Sequence, residues 1–456
     1  MRSLESVLKL KLTLDPESRN AIEGQSKITN WLYNHLLEEA NKLRDEYIKT
    51  QNPELVKTLY SKRGLRNEVP KLKGEHPFLK TVYSSPLKNA ALRLSETIQA
   101  YQKSRKGRIR GKNRGWPKFR SVNRKFFSLL YDEPGKGWKI EGRSIRLSLG
   151  VDENNKRLYV NGTLEKSPRE FDRGEVRNLR VTRDEKDFYC VFTVKEPSPK
   201  MKPIHKVISL DPNHKNLVYG VGNDGNAFEV KNPWFLKPLQ KRIDQLKSRR
   251  DKCQRKSKQL NLEGGKTVWL ASRRYNFFDN KLKNVYRIRR EQTKTYLYTV
   301  SNWLCSKYDL ISIGDYTLRG GGINKGMRRS MNNESLIGRF KLTLKSKSER
   351  SGKHYYEWNE KGSTRTCFNC AYKVVNGLSP EIRKWKCPKC GKIHYRDENA
   401  ALNGLRKTFK EYRFSGSEHL FDDDLEIDKS NRWALRYDGL ELSQKLNSGA
   451  NVGVIV

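Results

Sequence analysis

The sequence predicts an α/β multidomain protein: an N-terminal β-barrel interrupted by a block of helices, then an α/β region and a zinc ribbon. Three observations carry this reading. Apolar residues alternate at period two in residues 5–14 and again in short runs between 137 and 195, the mark of strands with one buried face. Apolar runs that end in aspartate alternate with long helix-period stretches after residue 200, as in a sheet covered by helices. Four of the seven cysteines form two C-x2-C pairs, which suits metal ligation in a reducing compartment better than a disulfide framework.

Taken in order, ESVLKLKLTL (5–14) is the first strand, and Pro16-Glu17-Ser18 opens a helical region. Segments 17–50 and 85–106 place Ile28, Trp31, Leu32 and Leu36, then Leu87, Ala91, Leu92, Leu94 and Ile98, at helical spacing. The segment 107–127, GRIRGKNRGWPKFRSVNRKFF, is Gly-rich and basic with interleaved aromatics. Its plain reading is a solvated loop. Its sharper reading is a nucleic-acid contact in which Arg110, Lys112, Arg114, Lys118 and Arg120 hold phosphates while Trp116 and Phe119 stack or anchor the loop. Strand-like runs at 137–149, 157–163, 176–183 and 187–195 complete a small barrel with the first strand, the helices being inserted between.

Residues 206–230 read as a β-meander with a tight turn at Asn223-Asp224-Gly225. A helix beginning near Leu236 carries Arg242, Arg249 and Arg250 on its basic face, and a second, 270–306, carries Arg289 and Arg290; all five are candidate phosphate contacts. An apolar run (309–317), a Gly-rich loop (319–326), a helix (333–349) and a strand (354–359) follow, then the cysteine pairs. Residues 413–456 contain DDDLEID and show no periodic core, so a disordered, inert acidic tail is expected.

Lys and Arg number 94 against 51 Asp and Glu, a formal charge of +43 spread from the first hundred residues to about residue 410. Such a charge repels itself in a compact monomer, and nucleic-acid phosphates relieve it with release of counterions. A membrane is the weaker partner. No stretch of about 18 apolar residues is present and no signal peptide opens the chain. A soluble intracellular protein is expected, cytoplasmic in a prokaryote and nuclear in a eukaryote.

Cys367, Cys370, Cys387 and Cys390, the pairs 16 residues apart, have the spacing of a zinc ribbon. Four thiolates leave no open position, so this zinc is structural. His394 is a weaker substitute ligand, and Cys190, Cys253 and Cys305 read as neutral thiols. Asp211 ends VISLD, Asp315 ends LISIGD, and Asp397 opens an amphipathic helix in HYRDENAALNGL. Each alone suits a turn or a cap. Together, at two strand ends and a helix start, they suit magnesium-assisted phosphodiester hydrolysis, which needs clustered carboxylates.

The order SLDPNHKN, ISIGDYT, paired C-x2-C knuckles and RDENAALN resembles the TnpB family of transposon-encoded nucleases, which are related to Fanzor proteins and type V CRISPR effectors. SNWLCSKYDLISIGDYT, KSKSERSGKHYYEW, GSTRTCFNC and GWPKFRSVNRKFF extend the likeness, which covers about 5–412. The resemblance implies an RNase H-like RuvC nuclease domain (204–361 and 393–412), a zinc ribbon (362–392), a wedge domain (1–15 and 107–203) and a helical recognition insertion (16–106). It implies a monomeric RNA-guided DNA endonuclease with guide RNA, target double-stranded DNA, two Mg ions and one Zn. Asp211, Asp315 and Asp397 would be its catalytic carboxylates. The family's second motif is Glu-Asp-Leu with a catalytic Glu, whereas this chain has Gly314-Asp315-Tyr316, so Asp315 is expected to serve one position along. A nuclease-inactive RNA-guided repressor and an unguided basic zinc protein are the rival readings.

Overall fold

The computed structural model describes residues 3–61, 63–108, 114–121, 126–168, 171, 174–184, 187–254, 258–262, 266–316, 335–375, 377–378, 381–412, 425, 427–439, 441–446 and 451–455. The chain divides into two units, Met1–Pro197 and Ser198–Val456.

In the first unit, β1 (Ser3–Thr13) is followed by helices α1 (Pro16–Thr50), α2 (Pro53–Tyr60), α3 (Gly64–Asn67), α4 (Val69–Glu75) and α5 (Ser84–Arg105). Strands β2 (Phe127–Tyr131), β3 (Trp138–Glu141), β4 (Ser144–Val151), β5 (Arg157–Leu164), β6 (Glu175–Asp184) and β7 (Asp187–Pro197) complete it. Asp15 starts α1 by accepting from the Ser18 N–H at 2.8 Å, with Pro16 in the first turn. The period-two pattern of β1 pairs Leu8, Leu10 and Leu12 with Phe192, Cys190 and Phe188 of β7. The expected barrel is instead a seven-stranded sheet of order β2-β6-β7-β1-β5-β4-β3. Its end strands β2 and β3 are not neighbours in that order, yet Leu129, Tyr131 and Trp138 share one core with β1 and β7. The sheet therefore curls without hydrogen-bonded closure among the described residues.

The second unit begins with the meander β8 (Val207–Pro212), β9 (Val218–Gly222) and β10 (Ala227–Val230), then α6 (Leu236–Gln254), the hairpin β11 (Lys258–Leu262) and β12 (Lys266–Leu270), and α7 (Arg273–Lys307). Next come β13 (Leu310–Gly314), α8 (Ile337–Arg350), β14 (His354–Trp358), β15 (Lys384–Lys386), β16 (Ile393–Tyr395) and α9 (Arg396–Glu411). The chain closes with β17 (Arg432–Tyr437), β18 (Leu442–Leu446) and β19 (Asn451–Ile455). The main sheet has the order β14-β13-β8-β9-β10-β17-β18-β19. Strands β8, β13 and β14 run parallel. Every residue of β8 and β13 is buried, the signature of parallel strands covered on both faces. Parallel pairing puts their C-terminal ends on one edge, where ligand sites form in such sheets.

Helix α9 seals that sheet. A Cβ on Gly404 would lie 2.4 Å from Ser209 Oγ and from the Trp358 ring, so glycine is what permits the approach. The Thr408 hydroxyl donates to Ser312 Oγ at 2.8 Å, and Ser312 donates to the Ile208 carbonyl at 3.0 Å. These bonds satisfy hydroxyls buried between the helix and the parallel strands.

The expected disordered tail is corrected by β17. It pairs in parallel with β10, and Leu435, Tyr437 and Leu442 enter the main core. Two apolar anchors in β17 and one at the start of β18 are enough once a sheet edge is present to receive them. The Gly-rich loop 319–326 and residues 413–424 of the tail lie outside the described residues.

Candidate functional site

Asp211 ends β8 and is 7% exposed. Burial drives its carboxyl far above the usual carboxylate range; the negative charges of Glu360 and Asp397 push the same way, and Arg396 opposes them. Glu360 follows β14, and burial, then the charge of Asp315, pushes its carboxyl up to about 7. Its Oε1 is buried without a hydrogen-bond partner. Asp397, in the first turn of α9, accepts from Asn213 Nδ2 at 2.7 Å and pairs with Arg383 at 3.3 Å. Mutually repelling, partly buried carboxylates with an orphaned oxygen form an oxygen-rich site that a hard divalent cation stabilises. Magnesium fits this donor set.

Asp315 is placed differently from expectation. It is exposed, and its carboxylate accepts the Glu360 N–H at 3.1 Å while its own N–H donates to the Trp358 carbonyl at 2.9 Å. The neighbouring charges that bear on Asp211 are those of Glu360, Asp397 and Arg396. Gly314 explains the exchange: a Cβ there would stand 2.1 Å from Glu360 Oε1. The Glu360 carboxylate thus fills the space a side chain at the end of β13 would take. Sequence reasoning missed Glu360 because it lies just past a strand, outside any motif. The available signal was a glycine where an acid is expected, with an acid two residues beyond the next parallel strand.

The four cysteine sulfurs, Cys367, Cys370, Cys387 and Cys390, all lie within 4.8 Å of one another. Cys367 to Cys390 is 3.7 Å and Cys370 to Cys387 is 3.6 Å. A tetrahedral zinc with Zn–S bonds of about 2.3 Å requires S–S edges of roughly 3.8 Å, so the residues fit the metal. His394 is buried, its Nε2 3.0 Å from the Cys367 sulfur; it stands behind a ligand, as an outer-shell partner does. Asn399 of α9 grips the first knuckle, accepting from the Phe368 N–H at 3.0 Å and donating to the Thr366 carbonyl at 2.8 Å. Asn403 donates to the Thr366 carbonyl at 2.7 Å. The helix that carries Asp397 is therefore the one that holds the knuckle.

A family model, the Cas12f1-like TNB domain, matches residues 338–404, which span α8, both knuckles, Glu360 and Asp397. A solved Cas12f1–sgRNA–target DNA complex has the same fold, with a TM-score of 0.55 and 12% identity over 88% of this chain and 98% of that one. A protein of Acanthamoeba polyphaga mimivirus that bears a transposase name is 30% identical over 175 residues, 33% of this chain and 34% of that protein. The chain thus matches about a third of that relative's length. The matched domain, the shared fold and the transposase-named relative support a TnpB/Cas12-like family.

The basic candidates divide into exposed and engaged. Arg114, Lys118 and Phe119 are exposed. Trp116 instead turns inward, its Nε1 donating to Asn41 at 2.8 Å and its ring meeting Tyr101, and the Arg120 guanidinium lies 3.4 Å from the centre of the Tyr33 ring. These two anchor the segment to α1 and α5, so of the two roles expected for Trp116, stacking or anchoring, the structure shows the second. Arg242 and Arg249 are exposed, whereas Arg250 pairs with Asp251 and Asp279, Arg289 donates to Gln240, and Arg290 pairs with Glu291. Arg110 and Lys112 lie outside the described residues. No helix among the described residues is long and apolar enough to cross a membrane.

Proposed function

We propose that this protein is an RNA-guided DNA endonuclease that cuts target DNA beside a short adjacent motif, by hydrolysis at a RuvC-type centre made of Asp211, Glu360 and Asp397. The observation that carries the reading is the buried, unpaired Glu360 oxygen held beside two further carboxylates at one end of a parallel sheet. Magnesium ions, when bound, supply the Lewis acidity that activates water and steadies the leaving oxygen. The chain's own part is placement. Asp315 holds the backbone of Glu360, Asn213 orients Asp397, and Arg396, whose charge reaches Asp211, would meet the scissile phosphate. The cysteine knuckle holds a structural zinc. A bound guide RNA would neutralise much of the +43 charge and would read sequence by base pairing, in keeping with the Cas12f1 complex that shares the fold.

The test is to sequence the RNA that copurifies, then incubate the complex with a matched plasmid in Mg2+. Cleavage abolished by Asp211→Ala and by Glu360→Gln is expected. A discrete RNA with tight target binding and no cleavage would make the protein a guided repressor. Absence of a discrete RNA would leave the unguided zinc protein.

A further inference from the structure

The turn of α9 that carries Asp397 lacks the usual restraint: Tyr395 is its N-cap and makes no side-chain cap hydrogen bond. The first turn of a helix leaves backbone N–H groups unsatisfied, so an uncapped one frays readily. Asn399 ties this turn to the first knuckle, and the residue after Asp397 ties it to the main sheet. Glu398 is 7% exposed, and its Oε2 and Oε1 accept from Arg432 Nε at 2.8 Å and Nη2 at 2.9 Å. Tyr219 of β9 donates to Oε2 at 2.9 Å. A two-pronged guanidinium–carboxylate pair fixes direction as well as distance. Arg432 is the first residue of β17, set by parallel register beside Ala227, and β17 lies beyond the 338–404 stretch that matches the family model.

Successive residues of an α-helix are turned by about 100°. With Glu398 locked toward β9 and β17, Asp397 is turned toward Asn213 at the end of β8. We propose that Arg432 is a positioning residue of the nuclease centre: strand β17 delivers a guanidinium that locks Glu398 and thereby sets the rotation of the turn bearing Asp397. This rests on the reading of Asp397 as a carboxylate of that centre.

The experiment uses the full chain loaded with its copurified RNA, as wild type, Arg432→Gln, Arg432→Lys, Glu398→Gln, the Arg432→Gln/Glu398→Gln double variant and Asp397→Ala. Three quantities are read: target-DNA affinity, single-turnover cleavage rate, and Mn2+ affinity by electron paramagnetic resonance of the same complex. Arg432→Gln and Glu398→Gln should keep DNA affinity while cleavage rate and Mn2+ affinity each fall about 10–100-fold, the range for outer-shell partners. Arg432→Lys should lie between, and the double variant should be no worse than the poorer single one, because both remove one contact. Wild-type cleavage and Mn2+ affinity in Arg432→Gln, with Asp397→Ala inactive, overturns the proposal alone. Additive losses in the double variant, or losses that track DNA affinity and melting temperature in both singles, assign the pair to folding and overturn it too. Full cleavage by Asp397→Ala overturns the reading of the centre, and the proposal with it.

Discussion

At the scale of single residues, the site is a conflict between solvation and charge. The Glu360 carboxyl is pushed up to about 7 by burial and by the charge of Asp315, so without a cation the folded state holds its proton more tightly than the unfolded chain does. For an acid raised in this way, stability falls as pH climbs from the unfolded value toward the folded one. Glu360→Gln should therefore stabilise the metal-free protein above pH 7 by roughly 1–3 kcal/mol while removing cleavage. Thermal melts in EDTA at pH 8, set beside plasmid cleavage in Mg2+, check both halves; a less stable variant that still cuts would sink the assignment. Gly314→Ala should also suppress cleavage by displacing the Glu360 side chain from the space it fills, without touching Asp211. A second conflict is conformational. Ala371, just past the first knuckle, has φ of 55°, a left-handed conformation costing a non-glycine residue about 1 kcal/mol. Ala371→Gly should strengthen the zinc lobe by about that amount, read as slower zinc loss to a competing chelator.

At the scale of elements, the site depends on the alignment of β8 with β13, and Asp309 sets it from the opposite end. Its Oδ2 accepts from the His205 and Lys206 N–H groups at 3.1 and 3.0 Å, and its Oδ1 pairs with Lys353 at 2.7 Å. Burial alone would raise this carboxyl, but the Lys353 bond and the two amides outweigh it and hold it below the ordinary value. A depressed acid contributes stability that is complete above its unfolded value of about 3.9 and is lost as pH falls through the folded one. Asp309→Asn should cost roughly 3 kcal/mol at neutral pH, because it leaves a buried lysine unpaired, and the gap from wild type should close as pH drops below about 4. Urea unfolding at several pH values measures it; a gap that is constant with pH contradicts the account. Such strands were legible in the sequence because doubly buried parallel strands read as unbroken apolar runs, and α9 because its apolar face begins immediately after Asp397. The helices α2, α3 and α4 were not, since pieces this short owe their helicity to packing and not to their own periodicity. The β11–β12 hairpin also escaped, although two short runs around Gly264-Gly265 are a hairpin signal. Strand β17 was hidden behind DDDLEID: a local acidic run sets the average of a segment, whereas Leu435 and Tyr437 gain their worth only from the edge of β10. Glu360 was invisible for the same reason, because its value comes from Gly314, 46 positions earlier.

At the scale of the whole molecule, the controlling quantity is the +43 charge. Like charges spread over both units repel whenever the chain is compact, and salt screens this only over a Debye length of about 8 Å at physiological ionic strength. Internal ion pairs such as Arg432 with Glu398 or Lys353 with Asp309 are neutral overall and leave the surplus of +43 untouched, so that surplus is available to an external polyanion. Ligand that binds the folded state alone stabilises it by about 2.7 kcal/mol at a hundredfold excess over its Kd. The melting temperature of the RNA-stripped protein should therefore rise when its copurified RNA is returned at low salt. The gain should shrink steeply as NaCl is raised, because each phosphate contact contributes a salt exponent of about −0.7 for single strands and −0.9 for duplexes. Heparin separates bulk charge from fit: it should raise the melting temperature at low salt but lose the effect at a lower NaCl concentration than the RNA, whose shaped contacts persist after counterion release is exhausted. Equal salt sensitivity for heparin and RNA would mean that the basic surface recognises charge density alone, and a guide-specific seat would have to be abandoned.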